Sequence, residues 1–262
     1  MNNLLKILKY TLYDTFRSWW AVLYFLFFLV SATSLLYFSG DFTKAVSSLL
    51  NIILLIVPLV SIIFGTMFYY NSREFVELLL AQPLKRTTIF IGQYLGLSIS
   101  LVLSYCLGIS TAFLIYQGST EEFSLLILLL VCGSLLTCIF IALSFLISVF
   151  QEDKIKGFGL AILLWLIAAI VYDGFFLAFL TVFQDYPLET SSIFISLFNP
   201  IDLTRILVLL QLESATLMGY TGAVFNKFFG TFYGVAISFF MLVIWVLLPL
   251  LGFVYKVNRK DF

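Results

Sequence analysis

Six long apolar stretches decide what this chain can fold into. They run approximately over residues 19–38, 49–70, 92–116, 123–150, 157–183 and 232–255. A helix needs roughly 20 apolar residues to cross about 30 Å of hydrocarbon, and each stretch meets that length. Strands of a membrane barrel would be alternating segments of about 10 residues, whereas these runs are continuous. The pattern therefore predicts an all-α integral membrane protein with six transmembrane helices and one membrane domain over residues 1–262. Pro58 and Pro249 fall inside the second and sixth spans, where neighbouring helices can satisfy the freed backbone groups. Composition points the same way: 62% of residues are hydrophobic and 11% charged, against about 45–50% and about 25% in soluble domains.

The charges orient the spans. Lys6, Lys9, Arg17, Arg73, Lys85, Arg86, Lys154, Lys156, Lys256, Arg259 and Lys260 lie on one side, and only Lys44, Arg205 and Lys227 on the other, eleven against three. Positive charge stays cytoplasmic, which places both termini inside the plasma membrane, the inner membrane of a bacterium. Lys plus Arg equals Asp plus Glu at 14 each, so no basic footprint for nucleic acid exists.

The first apolar run begins at Trp19 and is too long for the core of a cleaved signal, about 7–15 residues. Residues 2–18 read instead as an amphipathic helix lying in the interface. Leu4, Leu5, Leu8, Leu12, Phe16 and Trp19 share one face; Lys6, Lys9, Tyr10, Tyr13 and Arg17 share the other.

Two connections are more than loops. In residues 71–91, Ser72 can cap a helix and Glu74 suits its positive end. Phe75, Leu78 and Leu79 share a side at spacing i, i+3, i+4. Gln82-Pro83 stops the helix, since the residue before proline avoids the α region, and Thr87 or Thr88 can cap the next span. A helix over about 72–83 thus lies across the cytoplasmic face as a docking surface. On the outside, residues 184–231 are too apolar for disorder. Asn199 caps a helix with Pro200 in its first turn, Asp202 suits the dipole, and Arg205 can pair with Asp202 three positions back. A second apolar stretch, 216–229, contains Gly219 and Gly222. Two short helices on, or dipping into, the outer leaflet are expected. A seventh crossing over 200–218 is rejected, because it would move Lys256, Arg259 and Lys260 outside.

Much chemistry is missing. His is absent, which removes His-based acid–base catalysis and His-ligated metals. No phosphate loop, zinc motif or Ser–Lys dyad occurs, so no catalytic or metal residues are assigned. Cys106, Cys132 and Cys138 lie in apolar runs and read as packing residues. Copper conduction would want paired Cys or Met, and none are paired. Asp173, beside Tyr172, is the one ionisable group inside a span. It belongs either to a conduction path or to a hydrogen-bonded pair within the bundle.

Six spans, an interfacial N-terminal helix, a short helix between spans two and three and short outer helices before span six resemble the permease subunits of type-2 ABC exporters. The segment Ser72-Arg-Glu-Phe-Val-Glu-Leu-Leu-Leu-Ala-Gln-Pro-Leu-Lys-Arg86 matches that family's coupling helix, with Phe75-Val76 where Gly-Thr is usual. Leu80-Ala-Gln-Pro83, Val171-Tyr-Asp-Gly174, Phe198-Asn-Pro-Ile-Asp-Leu-Thr-Arg205 and Leu217-Met-Gly-Tyr-Thr-Gly-Ala-Val-Phe225 are most similar to the NosY branch, permeases of the NosDFY complexes that mature nitrous oxide reductase.

The resemblance implies a homodimer. Two NosF-like cytosolic ATPases holding ATP and Mg would dock through Arg73, Glu74, Phe75, Glu77, Leu78, Leu79, Gln82 and Pro83. A NosD-like periplasmic protein would dock at Asn199, Pro200, Asp202, Arg205, Gly219, Tyr220 and Gly222. The chain itself would be no enzyme and carry no cofactor. It would export a sulfur species for the reductase's copper–sulfur cluster. A lipid or drug exporter, and a membrane scaffold without transport, are the alternatives at this stage.

Overall fold

The computed structural model describes residues 3–116, 120–183, 189–212 and 231–259. Described residues form helices and short connections, with no strand among them. Six helices are long and apolar enough to cross a membrane: α2 (Trp19–Phe38), α3 (Phe42–Asn71), α5 (Arg86–Tyr116), α6 (Thr120–Phe150), a fifth broken into α7 (Lys154–Leu166) and α8 (Tyr172–Val182) by a π-helical turn at Ile167–Val171, and α11 (Phe232–Arg259). The other helices among the described residues are α1 (Asn3–Arg17), α4 (Arg73–Leu80), α9 (Glu189–Leu197) and α10 (Pro200–Gln211). The side holding Arg17, Arg73, Lys154 and Arg259 is called the basic side below.

Local chemistry sets the helix starts. Gly40 turns the chain between α2 and α3 with φ 64°, a left-handed conformation that glycine adopts without penalty. Asp41 then caps α3 through the Thr43 N–H at 3.0 Å. Asp153 caps α7 through Ile155 N–H at 2.9 Å. The Ser72, Thr87 and Thr88 caps expected from the sequence do not form. Ser72 sits at φ −86°, ψ 2° and its hydroxyl donates back to the Tyr69 carbonyl, because α3 runs nearly unbroken into α4. Helix α5 already begins at Arg86, so both threonines lie within its first turn.

The bundle centre is α3, α5 and α6, where half or more of each span's apolar window is buried. On the basic side an aromatic knot joins α3, α5, α6 and α11. Phe253 meets Phe145 at 5.4 Å and Phe90 at 5.6 Å, and Tyr69 lies 5.8 Å from Phe145. Such edge-on contacts add about 0.5–1.5 kcal/mol each beyond burial. Nearer the opposite side, Tyr105 is buried and its hydroxyl donates to the Leu129 carbonyl at 2.8 Å.

Helix α1 packs closely on α5. Its innermost residues are Ile7, Thr11 and Thr15, while Leu5 and Phe16 are exposed. A Cβ added at Gly92 would stand 2.9 Å from Ile7, and one at Gly96 would stand 2.6 Å from Thr11. Gly92-Gln-Tyr-Leu-Gly96 is thus a small-xxx-small seam, the spacing that lets helices approach in a membrane.

On the opposite side, α9 and α10 meet at 116°. Twelve residues of α10 span about 18 Å, too short to cross. The helix does not lie on the leaflet surface: Ile201, Leu203, Ile206, Leu207 and Val208 are buried, and it wedges against α3, α6 and α11. The expected second helix over 216–229, the turn residues Gln117 to Ser119, and Gly219, Tyr220 and Gly222 lie outside the described residues.

Candidate coupling helix and outer charge cluster

Helix α4 is the one helix suspended between spans on the basic side. Val76, 2% exposed, anchors it to the bundle, and Leu79 and Leu80 pack half-buried on the core. Phe75 stacks on Tyr10 of α1 with centroids 4.8 Å apart. Leu78 faces away and is 69% exposed. The side expected from sequence is therefore divided: Val76 takes the innermost position, Phe75 and Leu79 close the helix onto the protein, and Leu78 stays open. Arg73 and Glu77 form an exposed ion pair at 3.4 Å, and Glu74 lies exposed in the first turn. The helix stops at Leu80, where the Gln82 N–H turns back to the Leu79 carbonyl at 3.1 Å. Gln82 and Pro83 follow it as exposed residues.

The end of α3 that carries α4 is tied to the fifth span. Tyr70 Oη donates to the Gln151 carbonyl at 2.8 Å. Lys154 Nζ donates to Asn71 Oδ1 at 2.9 Å. Gly157 makes room for the Tyr70 ring, since an added Cβ would overlap its hydroxyl. Deeper in the membrane, Trp165 Nε1 donates to the Leu55 carbonyl at 3.2 Å. Helices α3 and α7 are thus clasped both at the surface and within the hydrocarbon.

Farther along the same span a charge lies among its apolar residues. Asp173 is 19 residues beyond Lys154, about 28 Å along a helix, which puts it close to the opposite interface. Its Oδ2 accepts from Arg205 Nη2 of α10 at 2.8 Å. Arg205 Nη1 reaches Asp202 Oδ1 at 3.0 Å. Asn199 caps α10 by accepting from the Ile201 N–H at 3.0 Å. Its amide donates to the Ala168 carbonyl at 2.8 Å and toward Asp202 Oδ2 at 3.3 Å. Ala168 belongs to the π-helical turn, so the cap stitches α10 to the break in the span. Tyr172 Oη donates to the Ile195 carbonyl at 2.6 Å and Trp245 Nε1 to the Leu197 carbonyl at 3.3 Å. Asp173, which sequence alone set apart from the outer segment, is therefore part of one cluster with it.

Asn199, Pro200 and Asp202 are buried. They hold α10 in place and offer no surface to a partner. Exposed here are Phe194 and Phe198, paired at 5.1 Å. Asp202 lies on α10, outside the six crossings. Burial and the adjoining Asp173 carboxylate raise its pKa to about 7, against the opposing pull of Arg205. Two carboxylates thus share one guanidinium, and the neighbouring Asp173 carboxylate opposes ionisation of Asp202.

Two features escaped the sequence. One is α9, whose Ser-rich stretch carries no apolar period; its buried Ser192 and Ser196 face the bundle. The other is the Gly92/Gly96 seam, which was legible as spacing alone.

This fold, with a short helix on the basic side and α10 wedged into the bundle opposite, defines a multi-pass helical membrane protein. The chain belongs to the ABC-2 family of transporter proteins, which matches residues 5–262. It is 26% identical over 230 residues to a protein of Pseudomonas aeruginosa named "Probable ABC transporter permease protein NosY", covering 81% of this chain and 84% of the relative. It is also 26% identical over 237 residues to a protein of the same name from Stutzerimonas stutzeri, covering 84% and 86%. As an ABC permease it is a transport component that works with an ATPase.

Proposed function

We propose that this chain is the permease of a homodimeric exporter in a bacterial inner membrane, with both termini cytoplasmic. Two NosF-like ATPases, holding ATP and Mg, dock on α4, with Leu78 as the central apolar knob and Glu74, Glu77, Arg73, Gln82 and Pro83 around it. A NosD-like periplasmic protein docks on the outer segment. The cargo is a sulfur species used for the copper–sulfur cluster of nitrous oxide reductase. The observation that carries this reading is the similarity to two NosY permeases across more than four-fifths of the chain. It is supported by the motif residues Asn199, Asp202, Arg205 and Asp173, which meet in one cluster.

The second copy packs against α7–α8, of whose apolar window only 6% is covered by the chain's own bundle. ATPase closure pushes α4. The clasp at Tyr70–Gln151 and Asn71–Lys154 passes that motion to α7, and the π-helical turn lets the outer half respond. Asp173 then shifts against Arg205, changing access along the dimer axis.

Deleting the gene in a nitrous oxide-reducing host tests the cargo. Loss of nitrous oxide reduction, with loss of the reductase's cluster absorbance, is expected. Intact reduction together with new sensitivity to toxic compounds overturns the proposal in favour of a drug or lipid exporter.

A further inference from the structure

Between α1 and the bundle lies a cavity of about 270 Å³, bounded by α1, α2, α3, α4 and α5. The transport reading makes no use of it. Aromatic rings form part of its wall: Tyr10 stacked on Phe75, and Trp20 edge-on to Phe64 at 5.8 Å. Asp14 and Gln93 are among the polar residues of this lining. Gln93 is 1% exposed, and its Oε1 is buried with no hydrogen-bond partner. Buried polar atoms in folded proteins are nearly always paired, so an orphaned acceptor on a residue beside the cavity points to a donor from elsewhere. Asp14 forms no ion pair among the described residues. The missing occupant is therefore a hydrogen-bond donor with positive charge, and aromatic faces are good neighbours for such a cation.

The cavity's depth identifies the source of that cation. Trp20 opens the first span and Asn71 closes the second, and both line the cavity. That is the level of the lipid headgroups on the basic side. Arg17 lies on the same stripe of α1 as Tyr10 and Asp14, at i+7 and i+3. It likewise forms no ion pair among the described residues. An acceptor pair with a guanidinium one turn on is complementary to a zwitterion carrying an ammonium and a phosphate.

We propose that this cavity is a binding site for the headgroup of an aminophospholipid of the leaflet on the basic side. The ammonium donates to Asp14 and to Gln93 Oε1 and packs between Tyr10 and Trp20. The phosphate meets Arg17. An occupant in this position props the Tyr10–Phe75 stack and so joins α1 to α4.

The test titrates the delipidated full chain in detergent by native mass spectrometry. The probes are phosphatidylethanolamine, its N-acetylated form, phosphatidylglycerol and free ethanolamine. Phosphatidylethanolamine should bind most tightly. Asp14→Asn should weaken it by about tenfold or more, the usual effect of losing one charge-assisted hydrogen bond, and Asp14→Glu should restore it. Gln93→Leu should weaken it several-fold. Asp14 is exposed, so its variants should elute and melt like wild type, and they decide the question if Gln93→Leu does not fold. Equal binding of the N-acetylated lipid, or wild-type affinity in Asp14→Asn, overturns the site. Displacement of the lipid by free ethanolamine at equal concentration overturns the lipid as its occupant.

Discussion

Removing Arg205 should cost the fold far more than removing Asp173, and removing both should cost less than removing Arg205 alone. Arg205 touches Asp173 at 2.8 Å and Asp202 at 3.0 Å. At an effective dielectric near 20, each contact has a gross attraction of roughly 6 kcal/mol. Desolvation and solvent screening remove most of this, because the Arg205 and Asp173 side chains remain 29% and 30% exposed. A net coupling of about 1–3 kcal/mol remains. The two single changes differ in what they leave behind. Asp173→Asn leaves Arg205 paired with Asp202 and should cost about 1 kcal/mol. Arg205→Met leaves two carboxylates facing each other at the mouth of α10 and should cost about 3–4 kcal/mol. In the double variant the repulsion is gone, so stability partly recovers. The assay is equilibrium unfolding in mixed micelles followed by tryptophan fluorescence, since Trp245 donates to α9 at Leu197. Free energies that add to within about 0.5 kcal/mol would show that the pair is not coupled, and a costlier Asp173→Asn would show that Asp202 does not share the guanidinium.

Three further outcomes follow from the same geometry. Asp202, with its pKa raised to about 7, binds its proton more tightly when folded than unfolded, so its contribution to stability is full below about pH 4 and is lost as pH rises through 7; melting curves of wild type should show that slope, and Asp202→Asn should flatten it. Leu78→Asp should reduce capture of the partner ATPase by about tenfold or more while leaving the melting temperature unchanged, whereas Val76→Ala should lower the melting temperature by removing a buried anchor; pull-down and thermal shift read the two separately. Gly96→Leu should lift α1 from α5, because the site lacks room even for a Cβ; protease cleavage within residues 3–17 should accelerate while the six spans stay inserted.

What could be read from sequence is what one element's own residues determine. Span count needs only length and hydropathy, and the Asn199-Pro200 start of α10 needs only local capping chemistry. Features set by contact between elements were not legible. Periodicity grouped Phe75 with Leu78, yet Tyr10 of a helix some sixty residues away draws Phe75 inward. Asp173 looked isolated because its partner stands thirty-two positions on, on a half-span whose 116° bend no local pattern announces. Asn199, Pro200 and Asp202 were assigned to an outer docking surface through the family resemblance, yet each is buried: one in a cap, one in a first turn, one in an ion pair.

The two candidate sites lie toward opposite ends of the fifth span, with its π-helical turn between them. A straight helix clasped to α3 at Asn71 and Leu55 and pinned to α10 at Asp173 could move only by tearing one end free. The π-helical turn at Ile167–Val171 lies between the two attachments, and such turns occur mostly as single bulges at functional sites. The α7 half can then follow α3 while the α8 half stays with Arg205. Asn199 donates to the carbonyl of Ala168 inside that turn, so α10 senses the break directly. Under the proposed coupling, a push on α4 would reach the outer cluster as a change at the turn, without the whole span sliding.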